Sequence, residues 1–456
     1  MPGSLLDHSN MKICFSGEIV VDLPHQKLVE TYLQDLGVES EVIETSEPLR
    51  LTRLRLRNIE AALGQYDSAE RYSLLRQVKD AGQGLYDPNR DPTDLDVLLF
   101  LLRETIGRRN ANWIPAIGSI RQAGLAGSPD RVSGLPYSGG AFLLQGTESG
   151  TFQLPDRTNS PKRRTTIALL DTALYVDGAD GDARRLVGRF IAEDADAVTG
   201  PTGDQPPLAT ALHSLNLLGV LLTYAPEANV LIRRTLDEQA IGDVWTMAKQ
   251  ISESARAGAD VIVIPACAVV EDGRVPLVLR RAIEAVPDNC QVIAAAGNYG
   301  NHEPGERDHN GMRVPARNSM VVPAACERVI GVGALDKEGD RARYSQAAEW
   351  MTAMAAGDDQ ISLFPDGPVR PVHRESDGEV VPDAPETFHG QAIMQGTSVA
   401  SAVFAGVVAN LAYKNDITAV DAAHKLLTSQ FTAPAHSMIR AFAPARDIPV
   451  SSPAQL

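Results

Sequence analysis

The chain has little of what usually marks a metal centre or a disulfide scaffold: only four of its 456 residues are cysteine. Cys14, Cys267, Cys290 and Cys326 show no Cys-x-x-Cys spacing and no neighbouring histidine pair, which argues against a zinc site. Scattered singly, they fit small core positions; a catalytic cysteine is the sharper alternative. No apolar run reaches the roughly 18 residues that a membrane-spanning helix needs, so none is expected. The N-terminal sequence lacks a basic stretch followed by a long apolar one, which excludes a recognisable secretory signal and favours a cytoplasmic location. Basic charge is short too: 42 Lys and Arg face 58 Asp and Glu, a net charge of -16, so the footprint of a nucleic-acid binder is missing. The acidic balance either steers basic substrates or serves solubility alone.

What is present is the composition of a soluble globular protein, 44% hydrophobic and 22% charged, in a length that suits about two or three domains. The first 133 residues predict a helix-rich α+β domain. A strand is expected over 12–21, a helix over 25–36, a short strand near 41–43, and helices over 50–65, 70–81 and 97–106, the last opened by Thr93 or Asp91 as cap. Residues 134–164, rich in Gly, Ser, Pro and Thr, predict a linker that ends on Lys162-Arg163-Arg164 and offers a natural place for self-cleavage. From 165 to about 430, apolar strands at 166–170, 229–233, 260–264, 292–296 and 329–335 alternate with helical stretches at 213–222, 241–257 and 276–286. Fully apolar strands separated by helices predict an α/β doubly wound, mostly parallel sheet with helices on both faces. Residues 431–456 form a C-terminal tail.

In such sheets chemistry gathers at the carboxyl ends of the strands. Asp171 directly follows the strand at 166–170, and Asn298 directly follows the one at 292–296. Ser398 stands in Gly396-Thr397-Ser398-Val399-Ala400-Ser401-Ala402, ahead of a long apolar stretch with small residues as far as Gly406. A buried helix starting there presents free backbone N–H groups and the positive end of its dipole, so the serine's own N–H is available to a developing oxyanion. The plainer reading is that Thr397 or Ser398 only caps a core helix.

Taken together these segments resemble the subtilisin-like serine peptidases over roughly residues 165–427. Gly396-Thr397-Ser398-x-Ala400 with Gly406 is similar to the family's serine motif, Leu169-Leu170-Asp171-Thr172 to its aspartate motif and Ala296-Gly297-Asn298 to its oxyanion asparagine. His213 with Gly219 six residues on is similar to its histidine motif. The order Asp, His, Ser is that of subtilisin. The resemblance implies a serine endopeptidase that forms an acyl-enzyme on Ser398, with His213 as general base, Asp171 orienting the histidine and Asn298 in the oxyanion hole. It also implies that Pro265, Ala266, Cys267 and Gly297 line the bound substrate, a protein or peptide. Departures from the family pattern are Ser214-Leu215-Asn216 after the histidine, Ala173 after the aspartate motif, Ala402 where proline is usual, and Pro265, which offers no N–H to a substrate strand.

The stretch between His213 and Pro226 is too short for the calcium loop that the resemblance would place there, and no cofactor or metal is expected. Asp177, Asp180 and Asp182 are either a cation site or solvated turn residues; His302, Asp308 and His309 are either a metal site or an exposed loop. His25, His373, His389 and His424 have no supporting neighbours. Two other functions use the same residues: a catalytically silent scaffold that binds partners, and a transferase or cyclase that passes the acyl group to an amine. The N-terminal domain is an inhibitory pro-region, a substrate-recruiting module or a regulatory domain whose inhibition a partner relieves.

Overall fold

A period-two pattern, Leu51-Thr52-Arg53-Leu54-Arg55-Leu56-Arg57, forms a strand where the sequence suggested a helix over 50–65. Leu54 and Leu56 face inward and Arg55 and Arg57 outward, and only Ile59–Leu63 turns helical. The computed structural model of the protein describes residues 14–81, 92–125, 144–146, 152–176, 186–201, 205–270, 273–306, 315–374, 380–428 and 439–441. About half of the expected linker, at 134–143 and 147–151, lies outside the described residues.

The N-terminal domain runs β1 (Cys14–Asp22), α1 (Gln26–Asp35), β2 (Glu39–Ser46), β3 (Leu51–Arg57), α2 (Ile59–Leu63), α3 (Ser68–Ala81), α4 (Asp94–Arg109) and β4 (Ile117–Leu125). Thr93 is the cap of α4: its hydroxyl accepts from the Asp96 N–H while the Asp96 carboxylate accepts from the Thr93 N–H. Helices α1 and α4 bury Val29, Leu33, Leu98 and Leu102 against Ile19, Val21 and Leu54 of the sheet, giving this domain its own core.

After β5 (Leu144–Gly146), residues 152–164 run along the rest of the molecule. Arg157 donates to the carbonyls of Pro226, Gly188 and Ala228, and Arg163 pairs with Asp260 at 3.0 Å. Then come β6 (Thr166–Asp171), β7 (Leu174–Tyr175), β8 (Phe190–Ala192), β9 (Val198–Thr199), α5 (His213–Tyr224), β10 (Asn229–Arg234), β11 (Ile241–Asp243), α6 (Val244–Arg256), β12 (Val261–Ile264) and β13 (Ala266–Val270). The chain goes on through α7 (Leu277–Glu284), β14 (Gln291–Ala295), β15 (Met320–Val322), β16 (Val329–Leu335), β17 (Ala353–Ala356), β18 (Gln360–Val369), β19 (Val372–Arg374), β20 (Val380–Pro382) and β21 (Glu386–Met394). It closes with α8 (Thr397–Asn415), α9 (Ala419–Thr428) and β22 (Ile439–Ala441).

The expected parallel sheet is there, in the order β22-β17-β16-β14-β12-β6-β10-β8, with β22 antiparallel at one edge. Helices α5 and α8 cover one face and α6 and α7 the other. Because β6 is the first of these strands and later strands lie on both sides of it, the sheet changes direction there. Its carboxyl end is therefore the crevice where ligands bind in such folds.

Helix α5 is shielded from solvent by the hairpin β18–β21, to which β5 adds a third strand. Contact is close at Gly219, where a Cβ would overlap Ser362 Oγ and come within 2.9 Å of Leu363 N. Gly219→Ala is expected to push the hairpin off α5 and to cost about 1–3 kcal/mol of stability, as overpacking does; urea unfolding that matches the unsubstituted chain would contradict this.

The N-terminal domain shares a sheet with the larger one. In the order β15-β13-β4-β1-β3-β2, strand β4 lies between its own domain and β13, and it also pairs with β11. Around this seam Arg53 pairs with Asp243 at 3.2 Å, Arg281 with Asp22 at 3.1 Å, and Glu44 with Lys249 and the Trp245 indole N–H. Burial alone would raise the Glu44 pKa, but the Lys249 and Trp245 hydrogen bonds bring it below the usual carboxylate value.

Candidate active site

Asp171 ends β6 at the direction change of the sheet. Its backbone carbonyl accepts from the N–H groups of Thr235 and Leu236, which fixes the turn after the strand. The side chain is fully buried, and Oδ2 lies 2.6 Å from Nδ1 of His213, itself only 3% exposed. An ionised carboxylate can only accept, so in this pair Nδ1 is the donor. His213 opens α5, and every residue from His213 to Leu222 is buried, so the helix that carries the imidazole is enclosed.

The residues after the histidine that depart from the family pattern have structural tasks. Ser214 Oγ donates to Ala173 O at 3.0 Å and the Ser214 N–H donates to Thr172 Oγ1, tying the histidine helix to the aspartate turn. Asn216 Nδ2 donates to Leu363 O, and Ser362 Oγ donates to Asn216 O at 2.6 Å, tying it to the covering hairpin.

Ser398 lies in the first turn of α8. Neither Thr397 nor Ser398 caps this helix through its side chain; the cap position is Gly396, at a φ of 146° that suits glycine. Ser398 Oγ donates to the carbonyl of Pro265 at 3.0 Å, and the residue is 3% exposed. Thr397 sets the neighbouring residues: its N–H donates to Asn298 Oδ1 at 2.9 Å, and its Oγ1 accepts from Gly297 N at 3.1 Å. Gly297 adopts a φ of 99° at this point, which only glycine takes without strain. With Oδ1 so engaged, Asn298 Nδ2 is buried and has no hydrogen-bond partner among the described residues. An unpaired buried donor is costly unless something else accepts from it, and a developing oxyanion would do so. Motif reading could not give Thr397 this role, because the hydroxyl that looked like a cap acts across 100 residues of sequence instead.

Pro265 follows β12, and Ala266 and Cys267 begin β13. The edge they form is not open: Ala266 pairs with Leu125 and Cys267 with Gly124 of β4, antiparallel. On its other side β4 pairs Gly124 with Ile241 and Ala123 with Gly242. Directly before this ladder stands Pro265, whose carbonyl accepts from Ser398 Oγ. Sequence reasoning missed β4 because Ile117–Leu125, with two glycines and an alanine, carries a weak strand signal.

Among Cys267, Cys290 and Cys326, cysteine catalysis has no support. Burial pushes the Cys267 thiol up to about 12 against the hydrogen bond from Tyr299, and burial does the same to Cys290 and Cys326, each to about 12. His302 Nδ1 lies 3.3 Å from Glu306 Oε1, and among the described residues no three metal-ligating side chains gather. Asp177, Asp180, Asp182, Asp308 and His309 lie outside the described residues.

Comparison with known proteins bears on this arrangement. The subtilase family model matches residues 206–439. Mycosin-4 of Mycobacterium tuberculosis is 30% identical over 37% of this chain and 36% of its own length. The thermophilic serine proteinase of Bacillus sp. strain AK1 is 27% identical over 54% of this chain and 51% of its own. An intracellular serine protease of Paenibacillus polymyxa is 24% identical over 45% of this chain and 60% of its own. The matches thus span between about a third and three fifths of these relatives. The family match runs from ahead of His213 to beyond α9, taking in the histidine, the asparagine and the serine and covering just over half of the chain, and the chain belongs to the subtilase family.

Proposed function

We propose that the protein is a serine endopeptidase restrained by its own N-terminal domain. The observation that carries this reading is the unpaired Asn298 amide, buried and bonded through Oδ1 to Thr397 beside Ser398, at the same carboxyl end of the parallel sheet where Asp171 pairs with His213. A scaffold has no physical use for an orphaned buried donor. Ser398 Oγ leaves the Pro265 carbonyl and attacks the peptide carbonyl, and its proton passes to His213 Nε2. The Asn298 amide and the Ser398 N–H hold the oxyanion while Asp171 stabilises the imidazolium. His213 then returns the proton to the leaving amine, and water releases the acyl group by the same steps in reverse.

The substrate is a protein or peptide bound as an extended strand. In this reading it lies along Pro265, Ala266, Cys267 and Gly297 where β4 now lies, so β4 occupies the substrate's place. A partner that draws β4 out of the β11–β13 cleft would switch the enzyme on. A cytoplasmic site of action belongs to the same reading, and the relative named an intracellular serine protease supports it.

The test is labelling of the full chain with a fluorophosphonate probe, which reacts only with an activated serine. The unsubstituted chain is expected to label and Ser398→Ala to stay unlabelled. Absence of labelling both in the unsubstituted chain and after β4 has been loosened would leave the silent scaffold.

A further inference from the structure

Gly396 sets the direction in which the chain enters the serine turn. Its φ of 146° belongs to glycine, and its N–H donates to Gly357 O at 2.9 Å while the Gly357 N–H donates to Leu335 O at 2.9 Å. Gly357 has no room for a side chain: a Cβ there would lie 2.9 Å from Gly396 O and 3.0 Å from the Tyr344 hydroxyl. Gly396, Gly357 and Tyr344 therefore meet at one point. The hydroxyl of Tyr344, a buried residue, donates to Asp358 Oδ1 at 2.5 Å and also interacts with the Gly396 backbone. From Asp358 the network continues: its backbone carbonyl accepts from Gln360 Nε2 at 3.0 Å, and Gln360 Oε1 accepts from the Tyr224 hydroxyl at 2.7 Å. Tyr224 is the last residue of α5, the helix that His213 begins. The hydrogen bonds thus run from the histidine helix to the serine turn, behind the crevice and outside the reaction steps.

We propose that Tyr344 and Asp358 are a positioning pair that holds Gly396 against Gly357, so that the next N–H, that of Thr397, stays on Asn298 Oδ1 and the Asn298 amide stays aimed at the oxyanion. The inference rests on the peptidase reading and adds two residues to it. Neither residue touches the reacting atoms; both act through Gly396.

The pair is sensitive to pH. Burial, opposed by the Tyr344 hydrogen bond and reinforced by the facing carboxylates of Asp336, Asp359 and Glu338, pushes the Asp358 carboxyl up to about 6. Above that pH the carboxylate is an anionic acceptor for the Tyr344 hydroxyl; below it the proton removes the charge and weakens the hold. Activity should therefore fall on the acid side through two ionisations, that of the general base and that of Asp358.

The experiment is the rate of fluorophosphonate labelling of the full chain against pH, in the unsubstituted protein and in Tyr344→Phe and Asp358→Asn, each with and without Gly124→Pro, which loosens β4. Tyr344→Phe is expected to label about tenfold more slowly at pH 8, the rate equivalent of about one hydrogen bond, in a chain that still folds. Asp358→Asn, which keeps an acceptor but not the charge, is expected to label about threefold more slowly than the unsubstituted chain at pH 8, the same loss that protonation of Asp358 brings to the unsubstituted chain below about pH 6. Its acid limb should carry one ionisation where the unsubstituted protein has two. A Tyr344→Phe rate equal to that of the unsubstituted protein, or an Asp358→Asn acid limb that superimposes on it, overturns the proposal. Should Tyr344→Phe not fold, the Asp358→Asn profile decides alone. If the unsubstituted chain and Gly124→Pro both fail to label, the peptidase reading falls and this inference with it; labelling with unaltered profiles removes this inference only.

Discussion

Asn298→Ala is expected to lower kcat by about 10²–10³ with little change in KM, the size of effect known for an oxyanion donor of this kind in subtilisin. The reason is the direction in which the amide is held. Oδ1 accepts from Thr397 N, which fixes the plane of the amide, and Nδ2 is buried without a partner among the described residues. A donor fixed in a dry site gains most when charge appears on the oxygen it faces, and it reorganises least, so its loss falls on the transition state and not on substrate binding. The same substitution leaves the Thr397 N–H without its acceptor and should cost about 1–3 kcal/mol of stability, which thermal melting reads separately. His213→Ala and Ser398→Ala are expected to fall much further, by about 10⁶ each, and the double variant no lower than either, because the two act as one unit. Unchanged kcat in Asn298→Ala would remove that residue from the site; additive losses in the double variant would separate His213 from Ser398.

Much of the larger domain was legible in the sequence. Its parallel strands are continuous apolar runs, and the three polar residues that interrupt the pattern, Asp171, Asn298 and Ser398, stand directly after strands or at a helix start. Long-range polar contacts were not legible. The bonds of Thr397 to Asn298 and Gly297, of Asn216 to the hairpin at Leu363, and of Tyr344 to Asp358 join segments that only the folded chain brings together. The helix expected over 50–65 failed for a local reason. Leucine and arginine have good helix propensity, but their alternation over Leu51–Arg57 matches the period of a strand, and a sheet with β1 on one side and β2 on the other takes precedence over propensity. The most consequential feature, β4 lying on the edge that Ala266 and Cys267 form, had the weakest signal, since Gly118 and Gly124 are poor strand formers. Gly124 nevertheless fits its place: a Cβ there would lie 3.2 Å from Ala240 O.

That close approach makes Gly124 the place to test restraint by the N-terminal domain. Gly124→Pro removes a backbone donor from a strand that pairs on both sides, with Ile241 and with Cys267, and puts a ring against the Ala240 carbonyl. The pairs Arg53–Asp243, Asp22–Arg281 and Glu44–Lys249 are left as they are, so the N-terminal domain stays docked while its last strand loosens. Loss of one ladder bond at about 0.5–1.5 kcal/mol, together with about 1–3 kcal/mol of crowding, corresponds to roughly 10- to 10³-fold in the population with a free edge. Peptidase activity and fluorophosphonate labelling of the full chain should rise by at least about tenfold. The rise should vanish when Ser398→Ala is added, because the gain is in access and not in a new nucleophile. Labelling no faster than in the unsubstituted chain would mean that β4 does not limit access to Ser398 and that the N-terminal domain serves recruitment or support. A rise would make β4 the element that any activating partner or substrate has to displace. The enzyme's threshold would then be set by the Ala123–Leu125 ladder on β11 and β13 and not by the chemistry at Ser398.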